Sequence, residues 1–294
     1  MIAPELAAKI RRIDISTRKA VREAVAGRWH SAFKGRGMEF EEVRPYVPGD
    51  EVRTIDWNVS ARTGEPHVKV FREERELSIV LAVDLSGSLQ YGTRGRLKRE
   101  LAAELAAILA FSAVSNNDKV GLLLFTDRVE KWVPPRRGRG HVLRLIRELL
   151  AFEPVGRGTN LGGAIDELAR ALHRPSVLFV VSDFLDRGWE QPIARTGLRH
   201  DVIPVVVEDC AERQLPKAGI VAFTDPETGA TRLVDTSSRA VRRHFESAAA
   251  AASEARDRAL SRTQMEAVRV DTDCADLVEP IVACLRRREE RRGR

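Results

Sequence analysis

The amino-acid sequence predicts an α/β fold, in which a mostly parallel central sheet is flanked by helices as a three-layer sandwich and is preceded by an N-terminal arm. Three observations support this prediction. Hydrophobic residues make up 43% of the 294-residue chain, which is an ordinary share for a globular protein. From residue 77 onwards, apolar and β-branched runs alternate with segments whose apolar residues recur at helical spacing. The runs are apolar on both faces, as in strands that helices cover on both sides.

The predicted elements follow each other in βαβα order. The strands are expected at residues 77–84, 118–127, 176–184 and 201–209, with a short extra strand at 129–134. The helices are expected at residues 96–115, 141–152, 161–173 and 189–200. Beyond residue 210, we expect a hairpin around the turn DPETG, a long helix at 239–262, a strand within 265–273 and a terminal helix. Because such crossovers are right-handed, the strands should be parallel, and ligands bind at their carboxyl ends.

The chain is predicted to have three parts. Residues 1–76 form an N-terminal helix and an arm that packs on the main domain. Residues 77–210 form the core of the α/β domain, and residues 211–294 form a C-terminal extension that completes it.

Within the arm, the sequence predicts two capped helices. Ser16 or Thr17 can cap a helix that runs to about Gly27, and Asp50 can cap a short helical segment around Trp57. Charged residues of both signs fill the rest of the arm. They favour an ion-pair network that fixes the arm to the sheet, and the alternative is a partner-binding surface.

The composition limits the classes of function. The formal net charge is +6, and much of the excess lies in PPRRGRG and in the tail LRRREERRGR. Solvated loop and helix ends are the favoured interpretation, and contact with phosphate or an acidic partner is the alternative. Aromatic residues make up only 5% of the chain, which argues against stacking platforms for nucleic acid. No apolar run reaches membrane-span length, no signal peptide is evident and the three cysteines form no CxxC pair, so we expect a cytoplasmic protein with reduced thiols.

Five oxygen-bearing side chains are predicted to lie at one rim of the sheet. They are Asp84, Ser86, Ser88, Thr159 and Asp183. The two aspartates end strands, the threonine lies in the loop GRGTN before a helix, and Gly87 permits a tight path between the serines. Hard cations prefer such an all-oxygen set, so we expect a divalent-cation site, with Mg²⁺ first and Mn²⁺ or Ca²⁺ as alternatives. For DLSGS alone, the alternative is a strand-to-loop corner held by turn hydrogen bonds.

These residues resemble the metal-ion-dependent adhesion site (MIDAS) of von Willebrand factor A (vWA) domains. The pattern is DxSxS, then T, then D, and it is present as DLSGS, GRGTN and VVSDF. The resemblance covers about residues 77–210 and implies a von Willebrand A or Rossmann-like three-layer sandwich. It also implies a role for each residue: direct binding of the cation by Ser86, Ser88 and Thr159, and a more distant position for Asp84 and Asp183. An acidic group from the binding partner would complete the coordination.

A longer segment resembles the bacterial family known as domain of unknown function 58. Residues 35–88 match almost position for position, and the core RPYxPGDxxRxIDWxxSAR runs from Arg44 to Arg62. Leu89 is a departure, since many members carry methionine there, and it is not expected to touch the metal. The resemblance implies a cytoplasmic adaptor or assembly factor that is often paired with an AAA+ ATPase of the MoxR type.

Enzyme functions are disfavoured by the same motif. A haloacid-dehalogenase-like phosphotransferase needs a second carboxylate two residues after the strand-ending aspartate, and position 86 is serine. A nucleophile elbow needs GxSxG and a partner histidine, and the six histidines have no motif context. No Walker A sequence is present, so the chain is not itself the ATPase. The glycines around Thr159 could instead cradle an anion.

We therefore expect a non-enzymatic protein that binds Mg²⁺ and recognises a protein partner through the cation. The partner would offer an acidic residue, and the family resemblance points to a MoxR-type ATPase. The alternative is an interaction protein that uses its basic surface without a metal, and a hydrolase is the least favoured hypothesis.

Overall fold

The computed structural model describes residue 33 and residues 38–73, 77–93 and 96–292. By its contacts, the described chain divides into a smaller unit at residues 33–77 and a larger unit at residues 78–292. The helix expected at residues 16–27 lies outside the described residues. The packing of the arm on the main domain stays a prediction.

The smaller unit is built on an antiparallel pair of strands. β1 (Met38–Pro45) pairs with β2 (His67–Glu73), and the register shifts between Phe40 and Glu42. A 3-10 turn (Val52–Thr54) and helix α1 (Trp57–Thr63) lie between the two strands.

Polar side chains of the family signature stabilise this unit from within. Arg44 donates two hydrogen bonds of 2.7 Å to the carboxylate of Asp50, and these bonds are the largest cause of the lowering of the pKa of Asp50 to about 2. The helix cap is Asp56, whose side chain accepts from the backbone N–H groups of Asn58 and Val59. The prediction that Asp50 caps α1 is therefore wrong, because the helix begins directly after Asp56 and the Asp50 carboxylate binds Arg44.

The larger unit contains a six-stranded sheet and a separate hairpin. Its strands are β3 (Ser78–Asp84), β4 (Lys119–Phe125), β5 (Val129–Arg136), β6 (Val177–Ser182), β7 (Asp201–Glu208), β8 (Ile220–Thr224), β9 (Thr231–Asp235) and β10 (Val268–Asp271). The sheet has the order β10-β7-β6-β3-β4-β5, and β8 pairs with β9 as the hairpin. Within the sheet, β5 runs antiparallel to β4 and the other pairs are parallel. The predicted α/β fold with a mostly parallel sheet is thus confirmed.

Six helices of the larger unit connect or follow these strands. They are α2 (Lys98–Ser115), α3 (Arg139–Ala151), α4 (Leu161–Ala171), α5 (Glu190–Gly197), α6 (Arg239–Arg262) and α7 (Val278–Arg292). In the described part of the chain, none of them combines the length and the apolar character that a membrane crossing requires.

The hydrophobic core holds the carboxyl ends of the central strands in place. Residues 79–83 of β3 and 177–181 of β6 are buried, as the continuous apolar runs predict for strands covered on both faces. Just beyond β6, Phe184 packs edge-on against Trp189 with the ring centroids 5.2 Å apart, and both side chains belong to the core. Burying a large apolar side chain contributes about 1.5–3 kcal/mol, so the loop after β6 is firmly anchored.

Candidate functional site

The motif aspartates lie at the ends of two neighbouring parallel strands. Val83 of β3 pairs with Val181 of β6, so the next residues, Asp84 and Ser182, lie at the same level. The Asp84 carboxylate is buried and accepts a 2.7 Å hydrogen bond from the Ser182 hydroxyl. Asp183 follows directly and is also buried. The predicted meeting of the two strand-ending aspartates is therefore found, with Ser182 as a link that the sequence did not reveal.

The two motif serines face each other across the loop after β3. The Ser86 backbone N–H donates to Asp84 Oδ1 at 2.8 Å, which turns the chain back over the strand end. The Oγ atoms of Ser86 and Ser88 are 3.0 Å apart. Ser86 is buried, whereas Ser88 is half-buried.

Gly87 is needed for a different reason from the one expected. Its φ is outside the left-handed region, so the tight path itself does not require glycine. A Cβ at this position would lie 2.4 Å from the carbonyl oxygen of Pro226. The absence of a side chain lets the β8–β9 turn approach the DLSGS loop.

The loop that carries Thr159 is fixed against both β3 and β4. Gly87 N donates to the carbonyl of Arg157 at 2.8 Å, and Asn160 N donates to the carbonyl of Thr126 at 2.9 Å. Asn160 also caps α4 by accepting from a backbone N–H of the first turn. The Thr159 hydroxyl donates to Glu227 Oε1 at 2.9 Å. Thr159 is thus tied to the motif through its loop and through Glu227.

Asp183 carries a partner that sequence reasoning missed. The fully buried Lys98 donates to Asp183 Oδ2 at 3.0 Å and to Glu212 Oε1 at 2.5 Å. Burial lowers the pKa of Lys98, but the charges of both carboxylates outweigh this effect, so the net shift is upward. The side chain therefore stays an ammonium. No sequence signal marks it, because a lysine at the start of a predicted helix is ordinarily solvated.

The charge of Asp84 is poorly compensated by the protein. Burial is the first cause, and the nearby Asp183 carboxylate the second, of a rise in the pKa of Asp84 to about 7. The hydrogen bonds from Ser86 and Ser182 act in the opposite direction without cancelling it. A positive charge near Asp84 would favour its ionised form.

The turn after β6 is held in an unusual conformation. Phe184 has a φ of 56°, a left-handed value that costs a non-glycine residue roughly 1–3 kcal/mol. Its N–H donates to the Ser182 hydroxyl at 3.2 Å, and its ring is buried in the core. Arg256 of α6 donates to the Asp183 carbonyl at 3.2 Å. These contacts fix the backbone on both sides of the Asp183 side chain.

The oxygen atoms of the motif suit a hard cation, and the hydroxyl groups are a necessary part of that set. Among the described residues, no group of three or more His, Cys, Asp or Glu side chains could hold a metal alone. A cation here would need the serine and threonine oxygens beside the two aspartates. Neighbouring ligands of an octahedral Mg²⁺ with bonds of about 2.1 Å are roughly 3.0 Å apart, and the oxygens of Ser86 and Ser88 have this spacing.

Similar proteins were found among solved structures and among curated sequences. BatB from Bacteroides thetaiotaomicron has a TM-score of 0.48 at 17% identity, over 73% of this chain and 99% of BatB. The VWA domain of SpRpn10 has a TM-score of 0.38 at 14% identity, over 70% of this chain and 94% of that domain. Uncharacterized protein Rv1480 of Mycobacterium tuberculosis and Mb1516 of Mycobacterium bovis are each 35% identical over 232 residues, which are 78% of this chain and 73% of each relative.

A family model provides the remaining comparison. The model described as "Protein of unknown function DUF58" matches residues 42–255, which include the whole signature core from Arg44 to Arg62 and all five motif residues. The resemblance seen in the sequence is confirmed by this match, and the chain belongs to the DUF58 family.

Proposed function

We propose that this protein is a non-enzymatic interaction module that holds a divalent cation, Mg²⁺ first, and recognises an acidic group of a protein partner through it. The cation would be held by the motif residues Asp84, Ser86, Ser88, Thr159 and Asp183. The observation that carries the proposal is the pair of serine oxygens 3.0 Å apart beside the buried carboxylate of Asp84.

Electrostatics support the same proposal. Asp84 and Asp183 place two carboxylates in a buried rim, and such a rim attracts a divalent ion strongly because water screens it poorly. A bound ion would then carry the largest local charge. This charge would face solvent beside Ser88 and Thr159, which are both half-buried. A carboxylate of a partner is the group that such a charge recognises. From the family resemblance, we propose a MoxR-type AAA+ ATPase as the partner and a cytoplasmic adaptor or assembly role.

Calorimetric titration of Mn²⁺ or Mg²⁺ into the purified chain tests the cation. We expect one site in the wild type, and affinities at least about tenfold lower in Ser88→Ala and Thr159→Val, because each loses an oxygen donor. Asp84→Ala should abolish the heat. Ser261→Ala, a hydroxyl removal on the exposed face of α6, is the control. Equal heats in all five proteins would overturn the proposal.

The second candidate is a metal-independent interaction protein that binds its partner through its basic surface. The observation that favours it is Lys98, whose ammonium already compensates Asp183 inside the fold. Partner capture would then persist in EDTA and be lost at moderate salt, since exposed charges are screened. Capture from a cell extract with and without EDTA separates the two candidates, and loss in EDTA supports the cation.

A further inference from the structure

The tip of the β8–β9 hairpin lies on the candidate site. Pro226 approaches Gly87 so closely that a Cβ there would be 2.4 Å from its carbonyl oxygen and 3.1 Å from Glu227 N. Glu227 Oε1 accepts the hydrogen bond from the Thr159 hydroxyl at 2.9 Å. One turn thus contacts the DLSGS loop through its backbone and the threonine of the motif through a carboxylate.

The turn is built to present this carboxylate. Asp225 Oδ1 accepts from Glu227 N at 2.9 Å, and its other oxygen accepts from the Thr228 hydroxyl at 2.7 Å. Gly229 has a φ of 74°, a left-handed value that closes the turn. Of the five turn residues 225–229, Glu227 is half-buried and the other four are exposed.

The rest of the hairpin is weakly attached to the domain. β8 and β9 form a sheet with each other alone, and the large apolar side chains of Ile220 and Leu233 are 73% and 76% exposed. Among the described residues, neither strand pairs with the six-stranded sheet, so no sheet hydrogen bonds oppose movement of the hairpin away from the site. An element of this kind opens at a low free energy.

We propose that Glu227 is an internal acidic ligand of the candidate site and competes there with the acidic group of the partner. This inference rests on the proposed function. The position of Glu227 supports it. The carboxylate of Glu227 accepts a hydrogen bond from Thr159, at the rim where an incoming carboxylate would bind. Without a cation, the turn is held by that hydrogen bond and by packing at Gly87. When a cation is bound, it also attracts the carboxylate of Glu227. A carboxylate of the partner can then take the place of Glu227 beside the cation.

If Glu227 competes for the cation, an external carboxylate should bind more tightly when Glu227 is neutralised. The probe is fluoroacetate, whose ¹⁹F transverse relaxation rises when it binds near Mn²⁺. At equal amounts of protein-bound Mn²⁺, measured by water proton relaxation, Glu227→Gln should increase the ¹⁹F relaxation about fivefold or more over the wild type, as expected when a competitor is removed. Glu246→Gln, the same change at an exposed position of α6, is the matched control and should leave it unchanged.

The possible results distinguish the internal ligand Glu227 from the cation site on which it depends. A rise in Glu227→Gln alone supports the internal ligand. If Mn²⁺ binds and Glu227→Gln matches the wild type, the internal ligand is wrong and the cation site stands. If neither protein binds Mn²⁺ by water proton relaxation, the proposed function is wrong and the inference falls with it.

Discussion

At the residue scale, the candidate site depends on how buried charges are compensated. Asp84 and Asp183 are both buried, and the charge of Asp183 disfavours the ionisation of Asp84. Lys98 compensates Asp183 and shares its ammonium with Glu212. A divalent cation at the rim would therefore compete with this ammonium for the charge of Asp183.

Replacing Lys98 tests this competition. Lys98→Met leaves two carboxylates without their partner, so the free energy of unfolding in EDTA should fall by about 3–5 kcal/mol. Because Asp183 is then free to pair with a cation, Mg²⁺ should raise the melting temperature of the variant more than that of the wild type. Thermal unfolding in EDTA and in Mg²⁺ measures both, with Lys217→Met at an exposed position as the control. A Mg²⁺ effect no larger than in the wild type would show that no competition exists.

The cysteines provide a prediction about pH that is independent of the cation. Burial is the main cause of a rise in the pKa of the Cys284 thiol to about 11, whereas Cys210 and Cys274 are half-buried. At pH 8, the reactive thiolate of Cys284 is thus about a thousandth of the folded population. Ellman's reagent should titrate two thiols in the native protein and a third only after unfolding. Cys284→Ala should show the same two, and three rapid thiols in the native wild type would contradict the buried position.

At the scale of elements, the contact between the DLSGS loop and the β8–β9 turn depends on Gly87. Gly87→Ala places a methyl group 2.4 Å from the Pro226 carbonyl, so the turn must move, at a cost of about 1–3 kcal/mol. We expect faster hydrogen exchange at the amides of Asp225, Glu227, Thr228 and Gly229, and unchanged exchange in β3. Gly140→Ala, where a Cβ meets nothing within 4 Å, is the control. Wild-type protection of the turn in Gly87→Ala would disprove the contact.

Periodicity predicted most of the elements and some of their bounds. α6 has the predicted bounds of 239 and 262, and β3 begins one residue later than expected and ends at Asp84. Asp50 does not cap α1 because the helix begins at Trp57, which places Asp56 in the N-cap position and Asp50 seven residues before the helix. The sequence indicates that a capping aspartate is present, whereas the residue at which the helix begins determines which aspartate it is.

At the scale of the whole molecule, the five motif residues could be selected from the sequence because strand ends and loop positions fix them. The residues that surround the motif could not be predicted from the sequence. Lys98, Glu212 and Glu227 lie on a helix, a 3-10 turn and a hairpin turn that are distant in sequence from the residues they contact. Nothing in local patterning indicates that the C-terminal extension brings its carboxylates to the rim. The C-terminal segment contributes β10 to the sheet, and its Glu212 and Glu227 contact Lys98 and Thr159.

The cation site is tested most directly by an anomalous difference map from crystals of the full chain grown with Mn²⁺. We expect a peak bonded to the hydroxyl oxygens of both Ser86 and Ser88, and no such peak in crystals of Ser88→Ala. Full occupancy of the site by the Lys98 ammonium, with no peak at the serine pair in the wild type, would contradict it.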